Sequence, residues 1–131
     1  IDCPPSLGLL TVNALTAANE VLVPIQCEYY ALEGLGQLMR NVDLIRASLN
    51  PGLQISHIVL VMFDPRTKLA GQVVDEVRSH FGSTVCDNVI PRTVRLSEAP
   101  SFGQPITTFD SDSRGAAAYR AVTQEVLNGQ A

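Results

Sequence analysis

The sequence predicts an α/β fold, a mostly parallel twisted sheet with helices on both faces, and three observations predict it. Strand-like and helix-like segments alternate along the chain. The strand-like segments are short unbroken apolar runs, the pattern of strands covered on both sides. Proline and glycine signals close several of the segments.

The elements follow in order. Asp2 to Pro5 reads as a strand end and turn, and the helix after it carries Leu7, Leu10, Ala14, Ala17 and Ala18 on one face. Val21 to Ile25 is a buried strand. A long helix runs from about Ala31 to Leu49, with Leu32, Leu35, Met39, Val42, Ile45 and Leu49 at helical spacing, and Pro51-Gly52 stops it. Ile55 to Met62 is the next strand. Beyond the loop Phe63 to Thr67, Leu69, Val73, Val77 and Phe81 recur every four residues in a helix that Gly82 ends. Val85 to Ile90 reads as a strand terminated by Pro91. Arg92 to Pro105, with prolines and Gly103, reads as a structured loop with a short helical stretch. Asp110 to Ser113 supplies N-cap candidates for a last helix, in which Ala118, Tyr119, Val122 and Val126 share a face before Gly129.

Composition sets the bounds. At 131 residues and 14.1 kDa, with 46% hydrophobic and 17% charged residues, the chain is long enough for one compact domain and too short for two. It is neither collagen-like, disordered nor a disulfide scaffold. The longest apolar run, Ile58 to Phe63, is far short of the roughly 20 residues of a membrane span. Cys3, Cys27 and Cys86 are odd in number and widely separated, which predicts reduced thiols in a cytoplasmic protein. His57 and His80 lack ligand-spaced partners and read as packed or surface residues. The chain opens on Ile1 with no signal-peptide pattern, and a fragment is expected.

Sites in such sheets lie beyond the carboxyl ends of the strands. That directs attention to Asp2 to Gly8, Gln26 to Gly34, Phe63 to Lys68 and Pro91 to Gly103, which are expected to meet. Asp2 suits a Mg²⁺ ion that keeps most of its waters, or is a capping aspartate. Gly8 permits close backbone approach to a ligand, or eases a turn. Glu28 and Glu33 are an acid/base pair, or acids favoured by a helix dipole, with Tyr29 and Tyr30 covering apolar neighbours. Arg66, Lys68, Arg92 and Arg95 form a local phosphate-binding patch, or solvated surface charge, in a chain of net charge −4. No aromatic residue is interleaved with them as in a single-strand stacking platform. No phosphate-cradling glycine string is present, and Lys68 is the only lysine.

Three blocks carry a resemblance: Asp2-Cys3-Pro4-Pro5-Ser6-Leu7-Gly8, Pro24 to Gly34 with Gln26-Cys27-Glu28-Tyr29-Tyr30 at its centre, and Ile90 to Gly103 with Leu96-Ser97-Glu98-Ala99-Pro100. In order and spacing they resemble the ParA/Soj chromosome- and plasmid-partitioning ATPases, the deviant Walker A branch of P-loop NTPases, along the whole chain. The resemblance implies that residues 1–131 are the C-terminal half of a ParA-type ATPase domain, with the phosphate-binding loop and first switch upstream of Ile1. It implies ATP and Mg²⁺ as cofactors, a homodimer that binds DNA without sequence preference, and a ParB-like centromere-binding partner that stimulates hydrolysis. No membrane association is implied, and the protein is expected in the cytoplasm on the nucleoid.

Residue by residue, the resemblance makes Asp2 the Walker B acid that holds Mg²⁺ through water and Pro4 to Gly8 the second switch. Met62, Phe63, Asp64, Pro91 and Arg92 fall where the family surrounds adenine, Pro91 and Arg92 through backbone atoms. Arg66, Lys68, Arg92 and Arg95 are the DNA-facing candidates, and Glu28, Tyr29 and Glu33 lie near the dimer interface and nucleotide. The alternative is a non-catalytic DNA-binding or dimerisation module without ATPase activity.

Overall fold

The computed structural model describes residues 1–4 and 6–129. At its centre β1 (Glu20–Gln26) and β2 (Gln54–Val61) pair in parallel, with Val23 opposite Ile58 and Ile25 opposite Leu60. Branched apolar side chains dominate both strands, as a pleated buried surface favours. The helices are α1 (Leu9–Ala17), α2 (Ala31–Ser48), α3 (Lys68–Phe81), α4 (Val94–Glu98), α5 (Ile106–Phe109) and α6 (Arg114–Asn128), with 3₁₀ turns at Gly82–Thr84 and Ala99–Phe102.

The strand expected over Val85 to Ile90 is an interrupted line. It touches β2 through isolated parallel bridges, Ile58 with Val85 and Phe63 with Pro91. The Cys86 N–H donates to Ile58 O at 2.9 Å and the Ile90 N–H to Leu60 O at 2.8 Å. Between them the N–H groups of Asp87 and Asn88 donate to the Glu125 carboxylate at 2.7 and 2.9 Å, so a side chain from α6 takes the donors a ladder would use. Arg78 of α3 donates to Asp87 O at 2.7 Å and fixes the same bend from another element. At the other end of the chain, Ile1 to Pro4 belong to no strand, contrary to the strand end expected there, and Pro5 lies outside the described residues.

Helices pack on both faces of β2, but on only one face of β1. On one, Val23, Ile25, Ile58 and Leu60 pack with Leu35 of α2 and with Val73, Val74 and Val77 of α3. On the other, Val59 packs with Cys86, Ile90 and Val122 of α6. α1 closes a smaller core against α2, where Leu15 meets Val42, Ile45 and Leu53. The opposite face of β1 is bare: Glu20, Leu22, Pro24 and Gln26 are all exposed. The edge of β1 away from β2 has no strand partner among the described residues. The Cys27 N–H donates to Val61 O, so by strand alternation Pro24 turns its position without an N–H to that free edge.

Local signals explain the helix ends. The Thr67 hydroxyl accepts the Ala70 N–H at the start of α3, and Ser113, among the expected caps, accepts the Ala116 N–H for α6. Gly129 closes α6 in the left-handed region. Three expected stripes shift. In α1 the buried residues are Thr11, Ala14 and Leu15, while Leu10 is 78% exposed. In α3 they are Ala70, Val73, Val74 and Val77, with Leu69 outside, and in α6 Tyr119 is exposed. Each core lies off the row of largest side chains because packing selects the side that faces the sheet. The loop from Arg92 to Pro105 is more helical than expected, with α4 running directly into a 3₁₀ turn.

Candidate functional site

The carboxyl ends of β1, β2 and the 85–91 line come together at one sheet edge. β2 is followed by Met62, whose φ of 57° is the left-handed conformation that costs a non-glycine residue energy to adopt. That turn sets Phe63 against the neighbouring line: its N–H donates to Ile90 O at 3.0 Å, and its carbonyl accepts the Arg92 N–H at 2.9 Å. Phe63 and Pro91 are thereby locked in register, with Met62, Phe63, Asp64 and Pro91 all half-buried. From the loop after β1, Glu28 reaches Arg92 and accepts its guanidinium N–H at 2.5 Å. Glu28, Met62, Asp64 and Arg92 therefore share one edge. Together with Asp2 they line a groove of about 1580 Å³ that continues along β1.

The amino-terminal loop is held by a residue that sequence reasoning passed over. The buried Thr11 hydroxyl donates back to Ser6 O at 2.8 Å, and the Gly8 N–H donates to the same carbonyl at 2.9 Å. A helix-interior threonine outside an apolar row is the one signal that marked it. Gly8 is the N-cap of α1 with an ordinary extended backbone, and a Cβ added to it would meet nothing within 4 Å, so neither conformation nor packing requires glycine there. Asp2 is exposed, with no side-chain hydrogen bond or ion pair among the described residues. Among the described residues no group of three or more His, Cys, Asp or Glu gathers to hold a metal directly. A lone free carboxylate fits a hard cation that keeps most of its water shell.

The cations are less free than the sequence implied. Arg66 donates to Asp64 through Nε at 2.9 Å and Nη2 at 2.7 Å. Those bonds, the Arg66 backbone N–H and the guanidinium charge hold the Asp64 carboxyl at a pKa of about 2. Arg95 donates from Nε to Asp110 at 2.7 Å and from Nη1 to Glu98 at 3.0 Å, and its own pKa is raised by these two hydrogen bonds, Asp110 first. Its guanidinium lies over the Phe109 ring, which stacks on Phe102 at 4.9 Å. An aromatic support therefore does stand beside one of the basic residues, from α5. Lys68, the first residue of α3, has no ion-pair partner among the described residues. Tyr29 and Tyr30 do not cover apolar neighbours as expected: both are largely exposed, packed edge to face at 5.2 Å. Glu33 is exposed in the first turn of α2.

His57 and His80 stay apart from this edge, whereas Cys3 and Cys27 are among the residues that line its groove. Cys86 is fully buried, and burial first, then the Glu125 charge and hydrogen bond, push its thiol up to about 11. Cys27 is buried and its thiol is likewise raised, mainly by desolvation. His57 is buried on β2 with Nε2 lacking a hydrogen-bond partner among the described residues. No helix among them is long and apolar enough to cross a membrane.

Comparison with known proteins gives the arrangement a context. A family profile described as an AAA domain matches residues 1–55. The chromosome partitioning protein ParA of Caulobacter vibrioides is 56% identical over 128 residues, which are 98% of this chain and 48% of that protein. The sporulation initiation inhibitor protein Soj of Bacillus subtilis is 56% identical over 126 residues, 96% of this chain and 50% of that one. Among solved structures, cobyrinic acid a,c-diamide synthase from Mycobacterium smegmatis, with bound ATP analogue and magnesium, superposes with a TM-score of 0.74 at 35% identity. That match covers 97% of this chain and 45% of the synthase, and its parallel sheet flanked by helices is the fold described above. The chain spans about half the length of the curated relatives it matches, and over that span it is 51–56% identical to proteins named ParA or Soj.

Proposed function

We propose that the chain is the C-terminal half of a ParA-type partitioning ATPase. In this reading the intact protein binds ATP and Mg²⁺, forms a homodimer and binds DNA without sequence preference in the cytoplasm, on the nucleoid. A ParB-like centromere-binding protein stimulates its hydrolysis of ATP. The observation that carries the reading is the single sheet edge on which Glu28, Met62 to Asp64 and Pro91-Arg92 meet, beside the groove that Asp2 lines. That is where an open parallel sheet takes its ligand.

The residues divide the work. Asp2 holds Mg²⁺ through water, and the bound cation supplies charge neutralisation on the phosphates, the main demand of phosphoryl transfer to water. Pro4 to Gly8, with Ser6 anchored by Thr11, act as the second switch. Met62, Phe63 and Asp64 with the backbone of Pro91 and Arg92 form the slot for the base. Glu28, Tyr29 and Glu33 lie by the nucleotide and dimer interface, which suits two largely exposed tyrosines. The chain has no phosphate-cradling loop of its own, so the phosphate grip belongs to the other half of the parent's length. Arg66, Lys68, Arg92 and Arg95 face DNA, and dimerisation multiplies a modest patch through effective concentration.

The test is ATP turnover by the full-length protein with and without DNA and its centromere-binding partner. Turnover that rises with the partner and is lost in Asp2→Ala supports the reading. Turnover indifferent to Asp2→Ala, or absent from the full-length protein, leaves a non-catalytic DNA-binding or dimerisation module in its place.

A further inference from the structure

Glu28 and Arg92 lie 64 residues apart in sequence, yet their side chains meet at 2.5 Å. Glu28 follows β1 and Arg92 follows the 85–91 line, and β2 lies between those two in the sheet. The ion pair therefore crosses above the carboxyl end of β2, over the left-handed turn at Met62. Both partners are about half exposed, 53% for Glu28 and 46% for Arg92, so neither is committed to a buried core. An exposed pair of this kind is weak, and a stronger anion can displace the carboxylate.

Backbone bonds hold Arg92 in place independently of Glu28, because its N–H already donates to Phe63 O. The carboxylate consequently determines where the guanidinium points and how much charge it offers. We propose that Glu28 is a counter-carboxylate that withholds Arg92 from nucleic-acid phosphates, and that exchange of Glu28 for a phosphate is what adds Arg92 to the DNA-facing surface. The inference rests on the DNA-binding reading above and adds a gate to it. Because Glu28 sits on the loop assigned to the nucleotide and dimer interface, movement of that loop changes the number of cations available to DNA.

The experiment measures binding of a random-sequence DNA duplex by the full-length ATP-bound protein across a salt series, for wild type, Glu28→Gln, Arg92→Ala and the double variant. Glu28→Gln is expected to tighten binding by up to about fivefold, the equivalent of about 1 kcal/mol for an exposed ion pair. It should also steepen the dependence of log K on log salt by about 0.9, the value of one further phosphate contact. Relative to Arg92→Ala, the double variant should show no gain. Wild-type affinity and slope in Glu28→Gln overturn the proposal, as does a gain that persists when Arg92 is absent, since that is the general effect of removing a negative charge. A wild-type protein that binds no DNA overturns the DNA-binding reading itself, and the gate with it.

Discussion

The Arg95 guanidinium lies 4.7 Å from the centre of the Phe109 ring, while Asp110, the next residue in the chain, accepts its Nε–H at 2.7 Å. One turn of α5 thus gives Arg95 both an apolar floor and an anionic wall. A cation over an exposed ring is worth about 0.5–1 kcal/mol. Phe109→Leu removes the ring both from beneath Arg95 and from its stack on Phe102, so it should lower the unfolding free energy of the intact protein by about 1–2 kcal/mol. In an Arg95→Ala background the same change should cost less, and a urea-denaturation double-mutant cycle measures the difference.

Neutralising Arg66, Lys68, Arg92 and Arg95 together should weaken DNA binding to the same degree for every sequence and flatten its salt dependence. Three of the four share their charge with Asp64, Glu28, Glu98 or Asp110. The measured loss in slope should therefore fall short of four full phosphate contacts. Fluorescence anisotropy with unrelated duplexes over a salt series checks both points, and unchanged binding would reject the assignment.

Gly115 stands where α6 meets α4, and a Cβ built on it would come within 2.8 Å of Leu96 Cγ. Alanine normally favours a helix over glycine by about 1 kcal/mol. Here the clash falls on the branch of a half-buried leucine and not on a flexible tip, and overpacking costs typically about 1–3 kcal/mol. Gly115→Ala should destabilise the protein by about 1 kcal/mol, and Leu96→Ala should recover part of the loss by opening the space. Thermal melts of the two single variants and the double variant decide the matter.

Acid should loosen the bend that interrupts the third line of the sheet. Burial works against ionisation of Glu125, but its hydrogen bonds from Asn88 and Asp87 outweigh it and hold the carboxyl below the ordinary 4.5. A depressed folded-state value contributes stability above the unfolded value, and that contribution is lost as pH falls through the folded one. Glu125→Gln should thus cost about 1 kcal/mol at neutral pH and flatten the decline in stability below pH 4.5. An NMR titration should find Asp64 ionised down to about pH 2 and returned towards the ordinary carboxylate range in Arg66→Ala.

Much of the fold was legible because it is written locally. Helical spacing from Leu35 to Ile45 located α2, the run from Ile55 to Val61 located β2, and Asp110 to Ser113 announced the last helix, which Ser113 caps. The third strand was misread because its apolar letters are genuine, while its ladder is broken by Glu125, which stands 37 and 38 residues away from the N–H groups it takes. The site divides in the same way. The loops at the carboxyl ends of β1 and β2 and of the 85–91 line follow from strand order, so Phe63-Asp64 and Pro91-Arg92 could be placed together in advance, while Met62 was added by the resemblance alone. The pairing of Glu28 with Arg92, the anchoring of Ser6 by Thr11 and the ring beneath Arg95 depend on side-chain directions in three dimensions, for which sequence spacing holds no code.

Pro24 has a consequence for what can pair along the edge of β1 that has no strand partner among the described residues. A parallel strand with one free edge is a template on which other chains can grow. In β1 the middle of that edge is a residue with no hydrogen to donate, so a chain aligning there meets a gap in the ladder halfway along its length. Indiscriminate strand addition, and the fibrous aggregates it seeds, are disfavoured at that point. A partner whose own hydrogen-bond pattern skips the position loses nothing, and the proline therefore filters what is able to extend the sheet.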